Sequence, residues 1–342
     1  MKRLFFSRLL YAVMLLLLAG CGSQEQAARL SGATMGTAWH VTLVSGSSTP
    51  ESAALQTGIE DILQGVDRSM STYREDSEIS RFNRAPVATW YTLSPPFVQV
   101  LAAALDVGRH SEGAYDVTVA PLVDLWGFGP TRGAAAVPDA PKIAQLLAVV
   151  GQDKLRLDVS GSRAMKQAPL SLDFSSIAKG YAVDAVADWL LGQGVARFMV
   201  EVGGEVRVAG RSPRGDAWRI AIERPDSAAR SVAAALAVTD VAVATSGDYR
   251  NFFELDGVRY SHSIDPRTGY PVAHDLVSVT VIADSAMLAD AWATALEVLG
   301  SERATAVAQQ RDLAVYFIRR VGDNYQSSYT DGFAQYLADG PR

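Results

Sequence analysis

The chain holds one cysteine, Cys21, in 342 residues. That excludes an intramolecular disulfide and leaves the thiol to be explained by its neighbours. Clustered lysine or arginine is missing from the body, the net charge is −6 and the pI is near 5.3. Phosphate-backbone binding needs clustered basic side chains, so the balance argues against a nucleic-acid partner. Neither a Walker loop nor a G-x-G-x-x-G fingerprint is present, so no single motif announces a nucleotide. Internal repeats and a composition break long enough for an interdomain linker are also missing. What remains, 49% hydrophobic and 20% charged, is ordinary globular material with ample apolar residues for a core.

The N-terminus reads as a targeting segment. Lys2, Arg3 and Arg8 precede a short apolar run over 9–18, and Leu18-Ala19-Gly20-Cys21 closes it with small residues before the cysteine. The run is too short to span a bilayer with its flanks and has the layout of a signal peptide. Its ending resembles a bacterial lipoprotein signal, in which Cys21 is lipidated and becomes the first residue. Residues 1–20 are then the signal peptide, 21–28 a polar tether and 29–342 the folded domain. Removing the signal takes the net charge from −6 to −9. The expected location is periplasmic, lipid-anchored to the membrane, and Gly22 in place of an Asp after the cysteine favours the outer membrane.

Within the body, residues 31–37 read as a small-residue loop and 38–44 as a strand. Helical spacing or helix-start chemistry marks 52–66, 95–110, 141–150, 176–191, 285–299 and 302–310, with Pro95 and Pro96 opening the second. Residues 113–130 read as extended, and the Ala/Gly/Pro-rich 131–140 as a surface excursion. Strand patterns fall at 155–159, 198–202, 206–209, 218–222, 232–238, 277–282 and 314–318, and 171–174 reads as a strand end. Asp256-Gly257 between alternating positions is a hairpin signal, and it delivers His262 into a loop stiffened by Pro266, Gly269 and Pro271. Strands joined by hairpin turns, with helices between, predict an α+β fold: antiparallel sheets with interspersed helices in a single compact domain.

Three stretches carry chemistry. In the helix over 285–299, Asp290 and Thr294 share a face with Met287 and Val298, so an acid is turned inward. A buried acid needs a partner or a cation. One carboxylate and one hydroxyl make a partial Mg²⁺ site, or else Asp290 caps a neighbouring loop and Thr294 bonds the preceding turn. At 173–181, a carboxylate (Asp173) ends an extended segment and a helix begins within three residues, with Lys179 in its first turn. This suits an anion, or is simple capping by Ser175. Met35, Tyr73 and Ala114-Tyr115-Asp116 supply flat apolar surface and polar handles for a planar ligand, or core packing.

Five separated stretches, taken together and in order, resemble the ApbE family of periplasmic flavin transferases: 32–37 (GATMGT), 70–83 (MSTYREDSEISRFN), 173–184 (DFSSIAKGYAVD), 262–271 (HSIDPRTGYP) and 290–300 (DAWATALEVLG). The resemblance implies an ApbE-like domain that takes FAD and Mg²⁺, splits the pyrophosphate, transfers FMN to a threonine of a target protein and releases AMP. Carried over by position, the metal site falls on Asp290, Thr294 and the main-chain carbonyl of Ser176. FAD contacts fall on Met35, Tyr73, Ala114, Tyr115, Asp116, Asp173, Lys179 and Ile264. His262 becomes the candidate base for the acceptor hydroxyl. The implied acceptor carries a Ser/Thr-Gly-Ala-Thr-like motif and belongs to a membrane redox complex. Ser263 departs from a frequently apolar position, and Glu201 and Glu205 flank Gly203-Gly204 where Asn and Asp are frequent; both departures bear on strand packing. Two other readings share the site: an FAD pyrophosphatase giving FMN and AMP, and a non-enzymatic flavin-binding lipoprotein. Ser31-Gly32-Ala33-Thr34 itself looks like an acceptor motif, which makes self-modification at Thr34 conceivable beside the plainer reading of a loop lining the flavin site.

Overall fold

Residues 27–46, 49–131, 136–225, 231–249, 251–338 and 340 are described by a computed structural model. The expected signal peptide, Cys21, most of the expected tether and the middle of the 131–140 excursion lie outside these residues. Strands β1 (Ala27–Thr34), β2 (Thr37–Val44), β3 (Phe198–Val202), β4 (Glu205–Ala209), β5 (Ala242–Gly247), β6 (Leu276–Ala283), β7 (Ala314–Val321) and β8 (Asn324–Tyr329) form one eight-stranded sheet. Each pairs antiparallel with the next, so chain order and spatial order coincide. The helices are α1 (Ser52–Met70), α2 (Glu78–Arg84), α3 (Pro95–His110), α4 (Ala120–Leu125), α5 (Ala140–Leu147), α6 (Ala178–Gly192), α7 (Ala286–Leu299) and α8 (Ser301–Gln310). The antiparallel α+β expectation holds.

The two faces of the sheet are covered differently. Helices α6 and α7 lie on one face, and α1 packs on α6 and β1 through the stripe Leu55, Ile59, Leu63, Val66 and Met70, spaced as one face of a helix must be. A hairpin of Trp218–Glu223 and Val232–Val238, with a 3₁₀ turn at Asp331–Tyr336, closes a second apolar cluster around Val208, Trp218, Leu236 and Phe333 on the other face. Helix α7 is buried on nearly every side, and its alanines let sheet and helices approach closely.

Several sequence expectations need correction. Residues 31–34 are not loop but the end of β1, paired residue for residue with β2. The turn is only Met35-Gly36, with φ of 45° and 73°, the doubly left-handed form that matches strand twist. Gly32 is small because a Cβ there would come within 2.6 Å of the Trp39 ring, so packing accounts for the glycine of the Ser-Gly-Ala-Thr stretch. Residues 113–126 are not extended. Asp116 folds the chain by accepting from the Thr118 N–H and hydroxyl at 2.8 and 2.7 Å, and Pro121 then starts α4. No strand forms at 171–174; Ser171 makes an isolated bridge to Val119. The hairpin Phe252–Leu255/Val258–Ser261 forms as expected, with Asp256 and Gly257 at φ of 51° and 76°.

Strand direction places the site. β1 runs from Ala27 to the Met35-Gly36 turn, β3 runs to the Gly203-Gly204 turn, and β5 runs to Thr245–Gly247, so these three points share one end of the sheet. Ala27 lies at the opposite end.

Candidate active site

Two helices position the centre by capping each other. The start of α6 follows Ile177 and has no side-chain cap of its own. Asp290, from the middle of α7, supplies it: Oδ2 accepts from the Gly180 N–H at 3.0 Å. In return Asp184 of α6 accepts from the Ala286 and Met287 N–H groups at 3.0 and 2.9 Å and from the Ser285 hydroxyl at 2.7 Å, closing the start of α7. Gly180 makes the approach possible, since a Cβ there would lie 2.3 Å from the Ala286 carbonyl oxygen. Ser175 does not cap α6; its N–H donates to Asp173 Oδ1 at 2.7 Å.

At the turn end of the sheet lies a cavity of about 680 Å³, well within the range for organic ligands. Every site residue singled out from the described sequence lines it: Met35, Tyr73, Ala114, Tyr115, Asp116, Asp173, Ser176, Lys179, His262, Ile264, Asp290 and Thr294. Their situations differ. Tyr73 stands at the mouth, 64% exposed, its hydroxyl reaching the Phe128 carbonyl at 3.4 Å. Tyr115 is buried, which pushes its phenol up, and it exchanges hydrogen bonds with Ser176, accepting from that hydroxyl at 3.0 Å. Asp116 is largely spent on Thr118 and on the Gln152 N–H at 2.9 Å; burial still raises its carboxyl.

The charged core is Asp290, Lys179 and Glu205. Burial raises the Asp290 carboxyl, opposed by the Lys179 charge and the Gly180 N–H. Lys179 donates to Glu205 Oε1 at 2.6 Å. Burial works to lower this ammonium, but Asp290 and Glu205 outweigh it and hold the group charged. Glu205 is raised by burial, and its Oε2 is enclosed without a hydrogen-bond partner among the described residues. His262 is lowered, by burial first and then by the Lys179 charge, so its imidazole is neutral at neutral pH. Its Nδ1 is enclosed without a hydrogen-bond partner among the described residues, and the Asn251 backbone opposes part of the lowering.

Sequence reasoning left several contributors out of the site. Glu205 stood in the sequence beside Gly203-Gly204 and was assigned to strand packing; it pairs with Lys179 inside the cavity. The end of β5, Thr245 to Gly247, lines the cavity from a strand whose pattern was too weak to read. Asn83, the last residue of its motif, donates to the Leu172 carbonyl at 2.9 Å and accepts from the Leu172 N–H at 2.7 Å, fixing the chain one residue before Asp173.

Fold and cavity together define an antiparallel α+β protein with a nucleotide-sized site whose donors are hard oxygens, one ammonium and one imidazole. Known proteins agree. The model of the ApbE family matches residues 35–317, and the chain belongs to that family. It is similar to a protein of Vibrio cholerae serotype O1 named FAD:protein FMN transferase, 44% identical over 325 residues, covering 95% of this chain and 97% of that one. A Haemophilus influenzae protein of the same name is 43% identical, with 97% and 98% covered. The solved flavin transferase ApbE from Vibrio cholerae superposes with a TM-score of 0.86 at 42% identity, over 92% of this chain and 100% of that chain.

Proposed function

We infer that this chain is an FAD:protein FMN transferase. It breaks the pyrophosphate of FAD, joins the FMN phosphorus to a threonine oxygen of an acceptor protein and releases AMP. The carrying observation is the convergence of residues from scattered stretches of chain on one cavity beside the buried Asp290.

The donor set fits Mg²⁺. Asp290, Thr294 and the Ser176 carbonyl offer hard oxygens, and Glu205 Oε2 is an enclosed carboxylate oxygen with no partner among the described residues. Among the described residues no three His, Cys, Asp or Glu side chains are grouped to hold a metal ion, so Mg²⁺ would rest on this mixed set of oxygens and on the substrate's phosphates. When bound, Mg²⁺ neutralises charge on the pyrophosphate oxygens. The chain's own residues do the rest. Lys179 faces phosphate oxygens with a fixed positive charge, and Tyr73 covers the mouth. His262 Nε2, neutral because it is buried, takes the proton of the threonine hydroxyl as that oxygen attacks phosphorus.

The acceptor carries a Ser/Thr-Gly-Ala-Thr-like motif, as a subunit of a membrane redox complex would. The enzyme itself is held in the periplasm by lipid on Cys21, at the outer membrane. Replacing Cys21 by Ala then moves the protein from the membrane to the soluble fraction. The central test is co-expression with such an acceptor, followed by denaturing electrophoresis. Flavin fluorescence stays on the acceptor band, and in a reaction of the purified proteins no fluorescent band forms when Mg²⁺ is chelated before FAD is added. Equally fast AMP release without acceptor identifies a pyrophosphatase instead; FAD binding without turnover identifies a storage protein.

A further inference from the structure

Helix α7 carries a second acid that the chemistry above does not use. Glu297 is completely buried, and both of its oxygens are engaged: the Ser246 hydroxyl donates to Oε2 and the Ser263 hydroxyl to Oε1 at 3.1 Å. Ser246 is the last residue but one of β5 and Ser263 follows His262; both line the cavity, while Glu297 does not. An apolar side chain would fill this place without the desolvation that a buried carboxyl carries. What the carboxyl adds is a link between two segments that share no strand pairing.

His262 needs such a link. Its Nδ1 has no hydrogen-bond partner among the described residues, so no neighbouring acid orients the ring as in a catalytic triad. Its placement comes from backbone on either side and from one ring contact. The His262 N–H donates to the Asn251 carbonyl at 3.1 Å, and the Phe128 ring meets the imidazole edge-on at 6.3 Å. On the following residue, Ser263, the side chain is tied to Glu297. The polar residue at 263 and the acid at 297 thus explain each other.

We propose that Glu297 is a positioning residue for the transfer reaction, fixing through Ser263 and Ser246 the segment that presents His262 to the cavity. This rests on the flavin-transfer reading for its kinetic part only. The test compares wild type with Glu297→Met, Glu297→Gln and Ser263→Ala, using FAD, Mg²⁺ and an acceptor protein carrying the threonine motif. Glu297→Met lowers kcat by about 10–100-fold, as a displaced catalytic group does, with KM for FAD within about twofold. Glu297→Gln, which keeps an acceptor oxygen, recovers most of the rate. The chain has only four histidines, so labelled-histidine NMR without any substrate reads the His262 ring directly. Its resonances, assigned by their loss in His262→Ala, move in Glu297→Met and return in Glu297→Gln. Wild-type kcat and unmoved His262 resonances in Glu297→Met overturn the proposal. So does a kcat loss that Glu297→Gln fails to recover while melting temperature falls in parallel, the mark of a purely structural group. If Glu297→Met does not fold, Ser263→Ala, which removes one hydroxyl, decides by the same two readouts. A wild-type chain that transfers no FMN removes the functional reading, and the NMR comparison then decides alone whether Glu297 places the imidazole.

Discussion

Asp290 and Glu297 sit two turns apart on one helix, both almost without solvent exposure, yet their surroundings assign them different work. Asp290 accepts one backbone N–H, stands in the field of an ammonium and borders the cavity. Glu297 accepts two hydroxyls and meets no cavity. Burial raises both carboxyls. The difference is coordination left over: an acid with room for another partner beside a ligand-sized space is placed for chemistry, and one whose oxygens are both occupied is placed to hold other groups.

The sharpest way to break this contrast is Asp290→Ala. FMN transfer falls by about 10³-fold or more, while circular dichroism and cooperative unfolding persist, because the change also removes a buried charge. Loss of folding together with activity would make Asp290 a structural acid and erase the contrast. His262→Ala follows, with a loss of about 10²–10⁴-fold. In wild type the acid limb of the transfer–pH profile falls below the ordinary histidine value of 6.5, since burial lowers this imidazole.

Glu297, besides placing the His262 segment, makes stability depend on pH. Burial pushes its carboxyl from 4.5 to about 7, although Ser246 and Ser263 pull it back. The folded state therefore holds a proton that the unfolded chain releases. Its stabilising effect is complete below about pH 4.5 and is lost as pH rises through about 7, a difference of about 3 kcal/mol. Denaturant unfolding at several pH values shows wild type losing about that much relative to Glu297→Gln across the window; parallel curves for the two proteins would refute it. The smallest effect is Asp184→Ala, which removes the acceptor of the Ala286 and Met287 N–H groups while Ser285 still caps α7, and lowers stability by about 1–2 kcal/mol. A larger loss of transfer than of stability would show that the start of α7 places Asp290.

Much of this was legible in the sequence. The five motifs, the Asp256-Gly257 hairpin and the inward Asp290–Thr294 face could be read because turn chemistry and helical period are local properties. β5 could not: Ala242–Gly247 is small and polar at its end, and it becomes a strand because β4 and β6 flank it. Reciprocal capping by Asp184 and Asp290 joins residues more than a hundred positions apart, which no local pattern announces. Glu205 was visible beside its glycines but not its partner, because the Lys179 pairing is set by how α6 lies on the sheet.

The first strand carries a consequence for reach. At about 3.3 Å per residue, the eight residues of β1 separate Ala27 from the Met35 turn by roughly 25 Å. If acyl chains on Cys21 hold the protein, as proposed, their attachment joins the folded chain at the Ala27 end of the sheet and the cavity lies at the other. Anchor and chemistry would then be separated by the length of a strand, a distance that any membrane-bound target has to bridge.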